Sequence, residues 1–334
     1  MHESPMSPAS SPGKYRVALI QLHPLLLRPV DNFSTASTYI RDAASEGVSL
    51  AILPEYHLTS WRPDHPSFIE VCRSSANYLS EYRKLAAELN ICIVPGTIVE
   101  VHFDEHKKCE ILHNVAYFIN HDGTILHRYV KTNLWHPERP HLTSAPSHSR
   151  HTAFDTPIGR VGLLICWDLA FPEAFRELIA DSAKTIIIPT FWTLADCSDY
   201  GLRQNPRSEA LFVETMCTAR AFENTCAVIF VNAGAQAKTM IKARATIATE
   251  EGAADAQPTE EDDDDIENNF YAGMSRVCLP FVGALGDATK TTAREGMSVV
   301  DVHMEHVEEA EKNYKVREDM ASEGWHYAYR HTTH

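Results

Sequence analysis

The chain has 334 residues, 44% of them hydrophobic and 22% charged, a composition typical of a globular protein with ample material for a core. Its 30 Lys and Arg against 45 Asp and Glu leave a formal net charge of −15, which repels phosphate backbones and argues against a nucleic-acid partner. No apolar stretch approaches the roughly 20 residues that a membrane-spanning helix needs, so no membrane partner is expected.

The opening residues, MHESPMSPASSPG, have no apolar run and do not read as a signal peptide. A disordered start over 1–14 is expected. Short β-branched runs then alternate with helical periodicity. YRVALIQL (15–22) predicts a strand, and DNFSTASTYIRDAASEG (31–47) predicts a helix ending in Gly. VSLAILPE (48–55) is the next strand, followed by a helix over about 76–89 and one strand, ICIVPGTIVE (91–100). ILHNVAYFIN (111–120) and TILHRYVK (124–131) flank the turn residues HDG and predict a hairpin. RVGLLIC (160–166) is a buried strand running into the helix FPEAFRELIAD (171–181). TIIIPTF (185–191), a helix over about 206–222 and the strand CAVIFVNAG (226–234) come next. GMSRVCL (273–279), GMSVVDVHM (296–304) and a charged helix from residue 305 to about 314 complete the pattern. Such spacing argues for mixed α/β sheets with helices outside.

One break interrupts this pattern. The segment 249–269, TEEGAADAQPTEEDDDDIENN, is nearly free of apolar residues and reads as a solvated or disordered insertion. Its DDDD run lacks the alternating spacing and the Gly of an EF-hand loop. Eight cysteines (Cys72, Cys92, Cys109, Cys166, Cys197, Cys217, Cys226 and Cys278) occur without a CxxC pair, several of them in apolar runs. They predict reduced thiols and a cytoplasmic chain rather than a disulfide framework.

Three residues carry candidate chemistry. Cys166 ends a buried strand just before a helix opens near Pro172, which exposes a nucleophile on a tight strand-to-helix turn; an ordinary core cysteine is the alternative. Glu55 ends the apolar strand AILPE, where burial raises a carboxyl's pKa and suits it to proton transfer; a salt-bridged loop acid is the alternative. Lys131 closes TILHRYVK and can hold a developing oxyanion and favour thiolate at a neighbouring cysteine, or simply sit at the surface.

In order along the chain, the set resembles the Glu–Lys–Cys triad of the nitrilase, or carbon–nitrogen hydrolase, superfamily. The resemblance runs from RVALIQLHP (16–24) through AILPE, KTNLWHPERPHLT (131–143), GLLICWDLAFPEAFREL (162–178), TARAFENTCAVIFVNAGA (218–235) and YAGMSRVCLPFVGALG (271–286) to EGMSVVDV (295–302). It implies an α/β four-layer α-β-β-α sandwich over 15–303, followed by a C-terminal helix and tail (304–334), and a homo-oligomer, dimer or larger. It also implies that Cys166 attacks the carbonyl and Glu55 shuttles the proton, while Lys131 and the Trp167 N–H hold the oxyanion. Glu138 would match a second glutamate that positions substrate. No cofactor is implied.

Cys166 is followed by Trp167 and Asp168, a sequence closer to amidase-like branches than to nitrilases, although Trp167 stands where many amidases have Tyr. The expected substrate is a small amide; a nitrile or an N-carbamoyl amino acid is the alternative, and a non-catalytic binding protein that keeps the fold is an alternative of another class. Tyr56, Trp135, Trp167 and Trp192 either wall a substrate pocket or pack as core aromatics. Arg139, Arg203 and Arg207 read as surface residues, with a grip on a substrate carboxylate as the alternative. His136, His141, His148 and His151 match no zinc spacing and read as loop histidines, so no metal is expected. The aromatic tail REDMASEGWHYAYRH (317–331) is expected to dock on its own subunit or a neighbour.

Overall fold

A computed structural model of the chain describes residues 13–147, 149–235, 271–286 and 293–329. The acidic segment 249–269 and residues 1–12 of the expected disordered start lie outside the described residues.

Strand β1 (Lys14–Gln21) explains the layering. Val17 and Leu19 point into one apolar cluster, while Ala18 and Ile20 point into another. Both faces of the strand are therefore buried, as in parallel sheets covered on two sides. The second face is covered by helix α1 (Pro29–Ser45), which Pro29 opens and Gly47, at φ +71°, follows at its end. Ala36, Ile40 and Ala43 of α1 recur at helical spacing and meet Ala18 and Ile20. Strand β2 (Leu50–Ile52) lies parallel to β1 and repeats the alternation, with Leu50 and Ile52 inward and Ala51 toward the helices.

Helices α2 (Phe68–Ser75) and α3 (Tyr78–Leu89) precede strand β3 (Cys92–Val94), parallel to β2. The single strand expected over 91–100 is in fact two. Pro95 and Gly96 break it, and β4 (Thr97–Asp104) turns away to form a hairpin with β5 (Cys109–Ile119). Strand β6 (Ile125–Val130) pairs with β5, as the HDG turn predicts. With β13 (Gly296–His303) antiparallel to β1, these strands form a seven-stranded sheet.

Among the described residues the second sheet has six strands. Strands β7 (Phe154–Thr156) and β8 (Gly159–Leu163) form a hairpin, and β9 (Thr185–Thr190) and β10 (Ala227–Asn232) continue parallel to β8. Strands β11 (Arg276–Leu279) and β12 (Gly283–Leu285) close the far edge. Helices α4 (Pro172–Ala180) and α6 (Ser208–Glu223) contribute Phe175, Leu178, Val213 and Cys217 to the cluster that also holds Val17, Leu19, Leu50 and Ile52 of the first sheet. The order of layers is helix, sheet, sheet, helix. Short α5 (Asp199–Gln204), then α7 (Glu305–Tyr314) and α8 (Val316–Ala321) complete the chain. Trp325 and Tyr329 of the tail pack back on the same subunit's large cluster, with the Trp325 indole donating to the Tyr329 carbonyl at 2.7 Å.

Gly96 is the local constraint nearest the candidate chemistry. Its φ is +61°, and a Cβ there would lie 1.9 Å from the Pro54 carbonyl oxygen, one residue before Glu55. Gly96→Ala is therefore expected to cost about 2–3 kcal/mol in urea unfolding and to displace the Glu55 segment. A wild-type unfolding midpoint would show that this close approach is not a constraint.

Candidate active site

Glu55, Lys131 and Cys166 all lie just past strand ends: three residues after β2, one after β6 and three after β8. Strand β2 is shorter than the expected 48–55 because the chain leaves the sheet to build this loop. There Glu55 N–H donates to Thr190 O at 3.3 Å, tying the end of β2 to the end of β9 across the two sheets. Glu55 and Cys166 thus sit past the carboxyl ends of strands in parallel pairs, and Lys131 joins them from the end of antiparallel β6.

The centre is a buried charge cluster. Lys131 Nζ donates to Glu55 Oε1 at 2.9 Å and to Glu138 Oε1 at 2.7 Å, and Lys131 is 1% exposed. Asn114 Nδ2 on β5 donates to Glu55 Oε1 at 2.7 Å, and Phe191 N–H donates to Glu55 Oε2 at 2.9 Å. Glu138 Oε1 also accepts from the Tyr56 hydroxyl, while Glu138 Oε2 accepts from Trp135 N–H at 2.7 Å. Two carboxylates share one ammonium out of water. Burial, reinforced by Glu138, pushes Glu55 up to about 7 against the pull of Lys131. Burial alone would lower the Lys131 pKa, but the carboxylates of Glu138 and Glu55 outweigh it and hold the ammonium well above its ordinary value.

Cys166 has φ +46°, a left-handed conformation that costs a non-glycine residue energy and recurs at functional turns. Its thiol donates to Phe191 O at 3.9 Å and lies in hydrogen-bonding reach of Glu55. Burial and the neighbouring carboxylate of Glu55 hold that thiol well above its usual pKa, which Lys131 offsets only in part. Lys131 pulls the Cys166 equilibrium toward thiolate, but burial and Glu55 outweigh it, and Cys166 rests as a thiol beside the Glu55 carboxylate.

The turn is fastened by a residue that sequence reasoning read only as a substrate clue. A 3₁₀ turn (Cys166–Ala170) stands between the strand and α4, and within it Asp168 is fully buried. Asp168 Oδ2 accepts from Ile165 N–H at 2.9 Å and from the Tyr129 hydroxyl at 2.7 Å; Oδ1 accepts from Asn133 N–H at 3.0 Å and Asn133 Nδ2 at 2.9 Å. It bolts the Cys166 turn to both sides of Lys131. Arg220 of α6 grips the turn's far end through Leu169 O and Ala170 O. Local sequence could reveal Asp168 as a helix-entry acid but not its reach to residues 129 and 133.

Above Cys166 opens a cavity of about 120 Å³ lined by Tyr56, Trp61, Trp135, Trp167, Phe191 and Trp192, together with Pro137, Glu138, Thr193 and Asp196. All four sequence-chosen aromatics therefore border one space. Trp167 packs edge-on to Trp135 at 4.3 Å and lies over Phe212 at 6.0 Å, and Tyr56 stacks on Trp61 at 4.7 Å. Tyr56 also anchors Glu138. Arg139, Arg203 and Arg207 do not line the cavity. Among the expected loop histidines, His136 packs on the Trp135 ring and His148 lies outside the described residues. His151 is more than a loop residue: it is buried, with Nδ1 paired to Glu177 at 2.8 Å and Nε2 to the Tyr129 hydroxyl at 3.2 Å. No cluster suited to a metal occurs among the described residues.

Residues 16–312 match the model of the carbon–nitrogen hydrolase family. The chain belongs to the carbon–nitrogen hydrolase family. A probable nitrilase of Schizosaccharomyces pombe is 26% identical over 66% of this chain and 74% of its own length. An omega-amidase of Homo sapiens is 32% identical over 54% of this chain and 64% of its own length. The chain thus spans between about two thirds and three quarters of these relatives. A carbon–nitrogen hydrolase structure from Helicobacter pylori G27 superposes with a TM-score of 0.71 at 18% identity, covering 92% of this chain and 95% of that one. The fold is the layered nitrilase sandwich that the sequence motifs imply, and amide hydrolysis, the reaction class they point to, recurs among the family's named members.

Two substitutions test this carbon–nitrogen hydrolase centre. Lys131→Met leaves two buried carboxylates without their cation and is expected to cost about 3–5 kcal/mol of folding stability. Asp168→Asn sets an amide against donors and is expected to cost about 1–3 kcal/mol. It should also lower kcat more than it raises KM, because it loosens the Cys166 turn rather than the cavity. Unchanged thermal unfolding for either variant would contradict the assigned burial and bonding.

Proposed function

We propose that this chain hydrolyses a small primary amide through a Cys166 thioester, releasing a carboxylic acid and ammonia. The observation that carries this reading is a single carboxylate, Glu55, bonded at once to a buried ammonium and in reach of a thiol on a strained turn beneath a cavity. Sγ attacks the amide carbon as Glu55 takes its proton. Lys131 Nζ and the Trp167 N–H hold the resulting oxyanion. Protonated Glu55 then gives its proton to the nitrogen, the C–N bond breaks and ammonia leaves. A water enters, Glu55 removes its proton, the water attacks the thioester, and the thiol is restored. Glu138 keeps Lys131 oriented and borders the substrate. A non-catalytic role is disfavoured by the cost of keeping a strained cysteine and three buried charged groups together.

The catalytic unit in this reading is 15–303, with 304–334 as an extension whose helix and tail pack on it. A reducing, cytoplasmic setting is supported by eight free thiols, none paired. Self-association is supported by the exposed Phe281, Val282 and Tyr314, with Phe281 and Tyr314 rings 5.6 Å apart.

Ammonia release from a panel of small amides, nitriles and N-carbamoyl amino acids tests the reading, with Cys166→Ala as control. Amide turnover that vanishes in the control is expected; turnover that survives it would sink the thioester route. Glu55→Gln should lower kcat by roughly 10²–10⁴-fold. Because Glu55 must be ionised to accept the thiol proton and its pKa lies at about 7, kcat/KM should fall as pH drops through that value. An acid limb confined to the ordinary carboxylate range would exclude Glu55 as the base.

A further inference from the structure

The cavity above Cys166 has a polarity of its own. Its walls are the rings of Trp61, Trp135, Trp167 and Trp192, whose faces carry the negative lobes of their π-systems. Its charged lining residues are Glu138 and Asp196, and no Lys, Arg or His lines it among the described residues. Glu138 is already engaged by Lys131. Asp196 is not paired with a cation among the described residues. It accepts from Thr193 N–H at 2.9 Å, and the charges bearing on it come from Glu209 and Glu138, both acidic. Glu209 is itself held at this wall by the Trp192 indole, which donates to it at 2.7 Å. Burial first, then these two carboxylates, push the Asp196 pKa up against the hydrogen bonds from Thr193, which pull it down.

Such a space repels one class of substrate and attracts another. An acyl group ending in a carboxylate would meet the Asp196 carboxyl group and the negative faces of the indoles. An ammonium would meet the same carboxylate as an ion pair and the same rings as cation–π partners. We infer, resting on the amide-hydrolase reading above, that the enzyme selects amides of short acids whose far end carries a protonated amine, with Asp196 as the specificity-determining residue.

The test compares γ-aminobutyramide, valeramide and glutaramate, which end in ammonium, methyl and carboxylate on the same chain. At neutral pH, kcat/KM is expected to fall in that order, with the cation favoured over the anion by about tenfold or more. Asp196→Asn should bring the ratio of γ-aminobutyramide to valeramide to within about twofold, and Asp196→Lys should reverse the preference between ammonium and carboxylate. The ratio is read within each variant, so a general loss of activity does not imitate the result. If the variants fail to fold in thermal unfolding, the order of the three substrates in the unaltered enzyme decides alone. Glutaramate turned over as well as γ-aminobutyramide overturns the inference while leaving amide hydrolysis intact. Failure to hydrolyse any amide, valeramide included, overturns both.

Discussion

Three charged side chains held out of water within hydrogen-bonding distance of one another constrain everything around them. Lys131 between Glu55 and Glu138 is stable only while the three charges stay paired, because an unpaired buried charge costs several kcal/mol. The partners come from far apart: Asn114 from β5, Phe191 from the end of β9, Tyr56 from the loop after β2 and Trp135 from the loop after β6. Strand order, the Gly96 turn and the meeting of the two sheets all serve this geometry. Burial, with one cation shared between two carboxylates, also raises the Glu55 pKa to about 7.

The Cys166 turn depends on the same arrangement from the opposite side. Cys166 belongs to the second sheet, whereas Glu55 and Lys131 leave the first. Asp168 closes the gap by bonding the Cys166 turn to Tyr129 and Asn133, the residues two before and two after Lys131. Further in, Gln21 of β1 accepts from Ser275, whose hydroxyl meets the backbone of Asn232 on β10, and Asn232 holds the Trp192 backbone through both its side-chain atoms. One polar chain therefore runs from the first sheet through the second to the cavity wall. Fully bonded buried networks of this kind fix a unique arrangement more than they add stability.

Much of this was legible along the chain. The alternation in RVALIQL, the HDG turn, the Pro that opens α4 and the Gly that follows α1 act over a few residues, so their consequences can be read locally. Strand ends could be located from where apolar runs stop, and that placed Glu55, Lys131 and Cys166 at strand ends. ICIVPGTIVE reads as one strand because apolar residues flank Pro95 and Gly96 on both sides, and the left-handed turn at Gly96 is what divides it. That the Cys166 thiol stays protonated beside Lys131 is not legible in the sequence, because it depends on burial and on the Glu55 carboxylate brought next to it.

What the sequence determined by itself, then, is which segments fold as which elements and which side chains stand at their ends, because these follow from short-range sterics and a periodicity of two or 3.6 residues. Only the tertiary structure decided that Lys131 spans to Glu55, 76 positions away, that Asp168 reaches Tyr129, and that Asp196 faces four indoles across one small space. Those distances depend on how two sheets stack and where their loops meet. Stacking arises from the summed burial of many apolar faces, which no single stretch of the chain encodes.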